Sequence, residues 1–142
     1  MKKILIASDH AGFKLKEELK NHLSKSYEVI DLGTNSEDSV DYPDFGTKLA
    51  KAIEKKEAEK GVLVCGSGVG ISIAANRNPA VRAALVYSEE IAKLSRMHND
   101  ANVICFGARL IDAALAEKCL DIFLSTPFEG GRHENRVKKL SC

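Results

Sequence analysis

Five short runs of apolar residues recur along the chain and constrain its fold more than any other feature. The runs cover residues 4–7, 29–32, 62–65, 83–86 and 103–106. They are mostly continuous rather than alternating in polarity, which is typical of parallel strands covered on both faces. The sequence therefore predicts five buried strands.

Amphipathic segments lie between these runs. Their apolar residues recur at helical spacing: Leu15, Leu19, Leu23; Phe45, Leu49, Ala52, Ile53; Tyr87, Ile91, Leu94; and Ile111, Leu115, Cys119, Ile122. Ser88 is predicted to cap the helix that contains Ile91, because serine accepts hydrogen bonds from exposed amides of a first turn. The segment that contains Ile111 is expected to end near Pro127.

Strands that alternate with helices predict an α/β fold. We expect a doubly wound, five-stranded parallel sheet in a Rossmann-like three-layer sandwich. A segment from about 132 to 140, after Gly130-Gly131, predicts an extra C-terminal helix. The 142 residues suit one domain that spans residues 1–142. Such sheets bind ligands beyond the carboxyl ends of their strands.

Charge and cysteine content exclude several classes of protein. The net charge is +1, so neither nucleic acid nor membrane is expected as a partner. The first apolar run is too short for a signal peptide, which favours a cytoplasmic location. The four cysteines have no zinc-finger spacing and are not expected to form disulfides: Cys65, Cys105, Cys119 and Cys142.

A glycine-rich loop, Cys65-Gly66-Ser67-Gly68-Val69-Gly70, is the strongest local motif. Alternate glycines let backbone amides turn toward an anion at the start of a helix. The loop is not a dinucleotide fingerprint, because Ile71 occupies the position of the third glycine, and it lacks the lysine of a P-loop. It is either an anion site or a turn selected for tight packing.

Cys65 is predicted at the point where the third strand ends and this loop begins. The N-terminus of the following helix favours a thiolate there, and a thiolate that faces a cleft acts as a base or a nucleophile. The commoner alternative for a strand cysteine is a small buried side chain without chemistry. The position of Cys65 favours a chemical role.

Two histidines, His10 and His98, follow a predicted strand and a predicted helix, respectively. Asp9 comes directly after the first strand and is interpreted as a cap for the next helix, whereas His10 beside it is not needed for a cap. His98 opens the turn His98-Asn99-Asp100-Ala101-Asn102, most of which an ordinary helix exit explains. The imidazoles are candidates for acid–base work.

Three arginines complete the candidate set. Arg109 follows the last strand, and Arg132 and Arg136 are four residues apart, so on a helix they share one face. Such a pair can bind one phosphate together. The alternative is a solvated basic stripe that continues through Lys138 and Lys139.

In this order and spacing, the segments 9–12, 65–70 and 98–102 and the Arg132/Arg136 pair resemble ribose-5-phosphate isomerase type B. That family is shared with galactose-6-phosphate and allose-6-phosphate isomerases. The resemblance runs from Met1 to about Lys139. It implies an aldose–ketose isomerase of the non-oxidative pentose phosphate pathway that interconverts ribose 5-phosphate and ribulose 5-phosphate without a cofactor or a metal.

The resemblance also implies a role for each candidate. Cys65 is the base that moves a proton between C1 and C2, supported by Ser67, and His98 opens the furanose ring with Asp9. The enediolate oxygens are held by the amides of Gly66, Ser67, Gly68, Val69 and Gly70. Phosphate is bound by His10, Arg109, Arg132 and Arg136, and the sugar is contacted by Tyr42 and Asn99. A base beside the carbon and donors aimed at the developing oxyanion are what this chemistry needs.

Another branch of the family uses a serine in place of the cysteine and a glutamate in the following helix as the base. Ile71 occupies the matching position here, so Cys65 must serve. The family works as a homodimer, and the resemblance implies that His98, Asn99 and Arg109 reach the partner's site; a tetramer is equally open.

Three alternatives remain open from the sequence. The sugar can have five or six carbons. A non-catalytic sugar-phosphate sensor would keep the glycine loop and the arginines without needing Cys65 or His98. A flavodoxin-like nucleotide-binding domain would share the architecture, but the phosphate fingerprints are missing.

Overall fold

All five predicted strands are confirmed, with ends that differ from the prediction by no more than one residue. The computed structural model describes residues 1–141, so Cys142 lies outside the described residues. The strands are β1 (Lys3–Ser8), β2 (Glu28–Asp31), β3 (Gly61–Cys65), β4 (Ala83–Leu85) and β5 (Val103–Gly107).

Six helices occupy the described residues, and the extra C-terminal helix is among them. They are α1 (Phe13–Leu23), α2 (Tyr42–Glu54), α3 (Val69–Asn76), α4 (Glu89–Met97), α5 (Ala113–Ser125) and α6 (His133–Lys139). Ser88 caps α4 as predicted, since its Oγ accepts from the Ile91 amide at 3.2 Å. No helix in residues 1–141 is both long enough and apolar enough to cross a membrane.

The α5 helix begins later than its apolar pattern predicts. Asp112 is the N-cap and its Oδ1 accepts from the Leu115 amide at 2.8 Å. Ile111 is therefore buried ahead of the helix rather than within it. The carboxylate cap outweighs the periodicity at this boundary.

The sheet is entirely parallel, in the order β2-β1-β3-β5-β4. The connection from β1 leads to β2 at one edge of the sheet, whereas the connection from β3 leads to β4 at the opposite edge. This is a topological switch point, where a crevice opens at the carboxyl ends of the strands. The register pairs Ser8 with Val64 and Cys65 with Gly107, which brings the ends of β1, β3 and β5 together.

Successive strand side chains point to opposite faces of the sheet and pack into two separate cores. Both faces are therefore buried, which explains why the runs are continuously apolar. On one face, Ile4, Val62 and Phe106 belong to a core that α1, α4 and α5 complete. On the other, Leu5 and Leu63 pack with α2 and α3. The predicted doubly wound three-layer sandwich is confirmed.

The apolar stripe predicted for α4 does not face the core. Ile91 and Leu94 are 43% and 37% exposed, while Ala92, Ser95 and Arg96 face inward. Arg96 is tolerated there because its guanidinium donates to the carbonyls of Ala101 and Thr126 and to the carboxylate of Asp100. A hydrogen-bonded arginine thus replaces the apolar contact that the pattern indicated.

Candidate active site

A cleft of about 510 Å³ opens at the carboxyl ends of β1 and β3. This is the switch point of the sheet, the position at which open α/β sheets bind ligands. The cleft is lined by Asp9, His10, Ala11, Tyr42, Cys65, Gly66, Ser67, Val69, Gly70, Ile73 and Arg109.

Cys65 is the last residue of β3 and is 4% exposed. The Gly68 amide donates to its Sγ at 3.2 Å. Gly68 is also the N-cap of α3, so the sulfur lies beside the positive end of that helix. An amide donor and a helix N-terminus both favour negative charge on sulfur.

The left-handed conformation of Gly68 holds the loop in this shape. Its φ is +80°, and a Cβ there would lie 2.5 Å from Cδ1 of Leu85 and 2.9 Å from the carbonyl carbon of Phe106. A side chain would be both strained and obstructed. The loop is therefore packed tightly and at the same time directs an amide at the thiol, so the two interpretations of its glycines are compatible.

Tyr87, which follows β4, holds the same loop through a hydrogen bond from its phenol. Its hydroxyl donates to the carbonyl oxygen of Ser67. Burial and the neighbouring Cys65 raise the pKa of Tyr87, so the phenol keeps its proton near neutral pH. The Oγ of Ser67 accepts from the Val69 amide at 3.2 Å and is exposed toward the cleft.

The loop after β1 supplies a buried carboxylate and an oriented imidazole. Asp9 is 5% exposed, and its Oδ1 accepts from the Gly12 amide at 3.0 Å. This bond closes the turn ahead of α1, whose N-cap is Gly12 without a side-chain cap, so the prediction that Asp9 caps the helix itself is wrong. Nδ1 of His10 lies 3.1 Å from the amide nitrogen and 3.2 Å from the carbonyl oxygen of Val40, so the Val40 backbone orients the ring in either tautomer. The ring borders the cleft, where an imidazole N–H can donate to an anion.

Arg109 and Tyr42 each lie against a glycine of the loop. A Cβ on Gly66 would be 2.8 Å from Nη1 of Arg109, and a Cβ on Gly70 would be 2.5 Å from the Tyr42 ring. Both side chains are exposed at the cleft. The glycines give the guanidinium and the phenol room to approach the backbone amides.

The remaining candidates lie elsewhere in the same chain. His98 is the C-cap of α4 and stacks on His133, with ring centroids 4.4 Å apart. Asn99 lines a separate cavity with Asn76, Arg82 and Leu140. Arg132 is the N-cap of α6 and Arg136 lies one turn later, both exposed.

A sequence model of the Ribose/Galactose Isomerase family matches residues 4–140. The chain belongs to this family. It is 45% identical to ribose-5-phosphate isomerase B of Escherichia coli, over 100% of this chain and 96% of that protein. The crystal structure of ribose 5-phosphate isomerase B from Thermotoga maritima superposes with a TM-score of 0.96 at 54% identity, covering 99% of this chain and 97% of the other. The Mycoplasma genitalium enzyme with bound ribulose 5-phosphate gives a TM-score of 0.93 at 44% identity, covering 98% and 93%.

Within this family member, the cleft brings together nine of the predicted site residues: Asp9, His10, Tyr42, Cys65, Gly66, Ser67, Val69, Gly70 and Arg109. Gly68 contributes its amide from behind the loop. Four others do not line the cleft of their own chain: His98, Asn99, Arg132 and Arg136. Arg109 was expected from the resemblance to reach a partner's site, whereas here it lines its own chain's cleft.

Sequence reasoning missed several residues of the site. Ile73 lines the cleft while 59% exposed, and its spacing of four residues from Val69 on α3 was a usable signal. Tyr87 was interpreted as part of a core stripe, not as a hydrogen-bond donor to the loop. Nothing in the sequence indicated that His133 would stack on His98, because the two are 35 positions apart.

Proposed function

We propose that this chain is an aldose–ketose isomerase that interconverts ribose 5-phosphate and ribulose 5-phosphate. The observation that carries the proposal is the contact between the Gly68 amide and the Cys65 sulfur at the switch-point cleft. Family membership and a ribulose 5-phosphate complex of a relative with 44% identity support the choice of substrate.

The proposed chemistry begins on the open-chain aldose. The Cys65 thiolate takes the proton from C2, and the electron pair moves toward C1 while the carbonyl oxygen gains charge. Return of the proton to C1, with transfer of a proton from the C2 hydroxyl to the C1 oxygen, gives the ketose. The amides of the glycine loop stabilise the enediolate because they are fixed in place before charge develops.

Ring opening is assigned to His98 with Asp9. Asp9 borders the Cys65 cleft, but His98 of the same chain does not. We therefore propose a homodimer in which His98 and Asn99 of one subunit complete the cleft of the other. Exposed apolar side chains beside the cleft support this arrangement, since Val69, Ile73 and Leu110 are 44%, 59% and 64% exposed.

The phosphate is assigned to four cationic or donor side chains. His10 and Arg109 border the cleft directly. Arg132, the N-cap of α6, and Arg136, one turn later, are assigned like His98 to the neighbouring subunit's site. Guanidinium groups suit this role because they bind phosphate oxygens with two parallel hydrogen bonds.

The proposal is tested by following ribulose 5-phosphate formation from ribose 5-phosphate in the presence of a chelator. We expect turnover that the chelator does not reduce. The matched comparison is with galactose 6-phosphate and allose 6-phosphate, which are one carbon longer. Faster turnover of either would reassign the substrate, and no turnover of any sugar phosphate would favour a non-catalytic sensor.

A further inference from the structure

A second cluster of chemically capable side chains lies outside the Cys65 cleft, where the end of α4 meets the start of α6. His98, Glu129 and His133 each offer one donor atom, and these atoms lie within 4.8 Å of one another. The Glu129 amide donates to the carbonyl of Met97 at 3.1 Å, which fixes the loop before α6 against the last turn of α4.

The turn between Glu129 and His133 is built to bring these two side chains together. Gly130 and Gly131 have φ values of +73° and +56°, and the His133 amide donates to the Gly130 carbonyl at 3.1 Å. Two successive left-handed residues reverse the chain sharply, which only glycine does without strain. The carboxylate is thereby returned to the imidazole four positions later.

His133 carries an unsatisfied buried nitrogen. Its side chain is 7% exposed, and among residues 1–141 its Nε2 has no hydrogen-bond partner. The nearest polar atom of Glu129, Oε1, is 3.7 Å away, which is too long for a hydrogen bond. A buried nitrogen without a hydrogen-bond partner calls for an explanation, and a cation in contact with both this nitrogen and the carboxylate would supply one.

We propose that His98, Glu129 and His133 bind a divalent transition-metal ion of the zinc type. Two imidazoles and one carboxylate are a donor set that zinc uses in proteins. A tetrahedral ion with bonds of about 2.1 Å holds its ligand atoms roughly 3.4 Å apart, so the donors must close by about 1.4 Å or less. Glu129 is exposed and His98 is half-buried, so both side chains can move by rotation.

The stacked imidazoles determine what binding does to the enzyme. The rings are 17° from parallel, and parallel rings cannot both direct a nitrogen at one ion. His98 must therefore leave the stack and turn toward the metal. On the proposed function, to which this inference adds a regulatory consequence, the ion withdraws the ring-opening histidine and inhibits the enzyme without being its cofactor.

Neighbouring charges moderate the affinity. Burial is the largest cause that lowers the pKa of His133, and the charges of His98, Arg132 and Arg136 act in the same direction. The same arginines oppose a cation, and Glu129 is the acid of the cluster that offsets them. Magnesium should not compete, because it prefers oxygen ligands and an octahedral shell.

The test uses the full chain, freed of metal by a chelator and titrated with Co²⁺. Visible absorption of a tetrahedral Co²⁺ complex reports binding and does not depend on isomerase activity. We expect about one ion per chain. Glu129→Gln should lose at least tenfold in Co²⁺ affinity, because even outer-shell partners of a metal contribute about 10–100-fold. His133→Gln should lose more. Glu129 is exposed, so its variant should fold even if the His133 variant does not.

Cys65→Ser is the control for the alternative ligand, since thiolates bind zinc tightly. It should bind Co²⁺ like the wild type; a sulfur-to-cobalt charge-transfer band that this variant loses would move the site to the cysteine and overturn the proposal. In the activity arm, Zn²⁺ should inhibit the wild type at least ten times more strongly than Glu129→Gln, whose basal turnover should be normal. If the wild type binds no Co²⁺, the metal site is wrong. If Co²⁺ binds but Zn²⁺ does not inhibit turnover, the regulatory role is wrong. If the chain binds Co²⁺ but turns over no sugar phosphate, only the proposed function is wrong.

Discussion

At the scale of single residues, the Cys65 and Cys105 thiols lie in different environments. Cys65 receives an amide hydrogen bond at the mouth of a cleft, whereas Cys105 is completely buried in the core behind α2 and α3. Burial and the charge of Cys65 raise the pKa of Cys105, which keeps that thiol protonated. The same side chain thus borders a cleft at one end of the sheet and is enclosed in the core at its middle.

Cys65→Ser should lose most of kcat while KM changes little. Serine is nearly isosteric with cysteine but is far too weak an acid to be ionised near neutral pH, and Ile71 offers no replacement base. The loss should reach several orders of magnitude if proton transfer limits the rate. The measurement is steady-state kinetics together with exchange of solvent deuterium into C2 of the aldose.

Cys105→Ala is the matched control and should keep kcat, because that thiol does not border the cleft. Deuterium exchange at near the wild-type rate in Cys65→Ser would assign the base to another residue.

Short sequence motifs were sufficient to locate the residues that line the cleft, but not the buried charged residue Lys16. Cys65 and the glycine loop were located correctly because strand end, loop and helix start are contiguous in sequence. Lys16 was not singled out in the sequence, because a charged residue next to the apolar Leu15 carries no local signal of burial. Its side chain is 0% exposed.

At the scale of elements, Lys16 joins α1 to the end of β2 through an ion pair. Its Nζ is 2.6 Å from Oδ2 of Asp31, which also receives Nζ of Lys20 at 3.1 Å, and the Gly33 amide donates to Oδ1 at 2.9 Å. Burial works against the Asp31 charge, but the hydrogen bonds from Lys16, Gly33 and Lys20 outweigh it and hold the pKa of Asp31 below 3.8. The Nζ of Lys16 also lies 3.2 Å from Oε1 of Glu17, but the Glu17 side chain is 39% exposed, so Asp31 is the better-buried partner.

Asp31→Asn should lower the free energy of unfolding at pH 7 by about 1–3 kcal/mol, because the buried ammonium of Lys16 then keeps only the more exposed carboxylate of Glu17 as an ionic partner. Lys16→Met should cost less, since Asp31 keeps its bond to Lys20 at 3.1 Å. Urea denaturation of both variants and the wild type measures the difference.

The pH dependence follows from the direction of the Asp31 shift. A lowered pKa stabilises the fold above the unfolded value near 3.8, and this stabilisation is lost as pH falls through the lower folded value. The gap between wild type and Asp31→Asn should therefore narrow below pH 3.8. A gap that stays constant down to complete acid unfolding would mean that this pair is not what stabilises the contact.

Helix existence was predictable, but helix orientation was not. The cap at Ser88 and the spacing of Ile91 and Leu94 correctly predicted α4, because both are properties of consecutive residues. Which face turns inward depends on the hydrogen-bond acceptors that Arg96 finds at Ala101 and Thr126, the latter 30 positions away. Sequence periodicity carries no information about such acceptors.

At the scale of the whole molecule, the predicted site divides into two halves within one chain. The sequence predicted the members of both halves, but no property of one sequence reports the distance between His98 and Cys65. The cleft of one chain gathers nine predicted residues and leaves His98 stacked on His133. The proposed dimer would reunite the halves across an interface.

Mixing inactive Cys65→Ala with inactive His98→Asn protein tests this arrangement. Under free subunit exchange half of the dimers are mixed, and each mixed dimer has one intact site of two, so about a quarter of wild-type activity should return. The measurement is turnover before and after exchange, with exchange verified by mass spectrometry of intact dimers. Exchange without recovered turnover would confine each site to a single chain.

The left-handed loop at Gly68 has a consequence for how this family can diverge. A residue that tolerates no side chain fixes the backbone beside it, so substitution of Gly68 would disturb the loop that holds the Cys65 sulfur. Tyr42 is exposed and lies over that backbone beside Gly70, so it can be exchanged without rebuilding the loop. Differences in sugar preference are therefore expected at exposed positions such as Tyr42, while position 68 is expected to stay glycine.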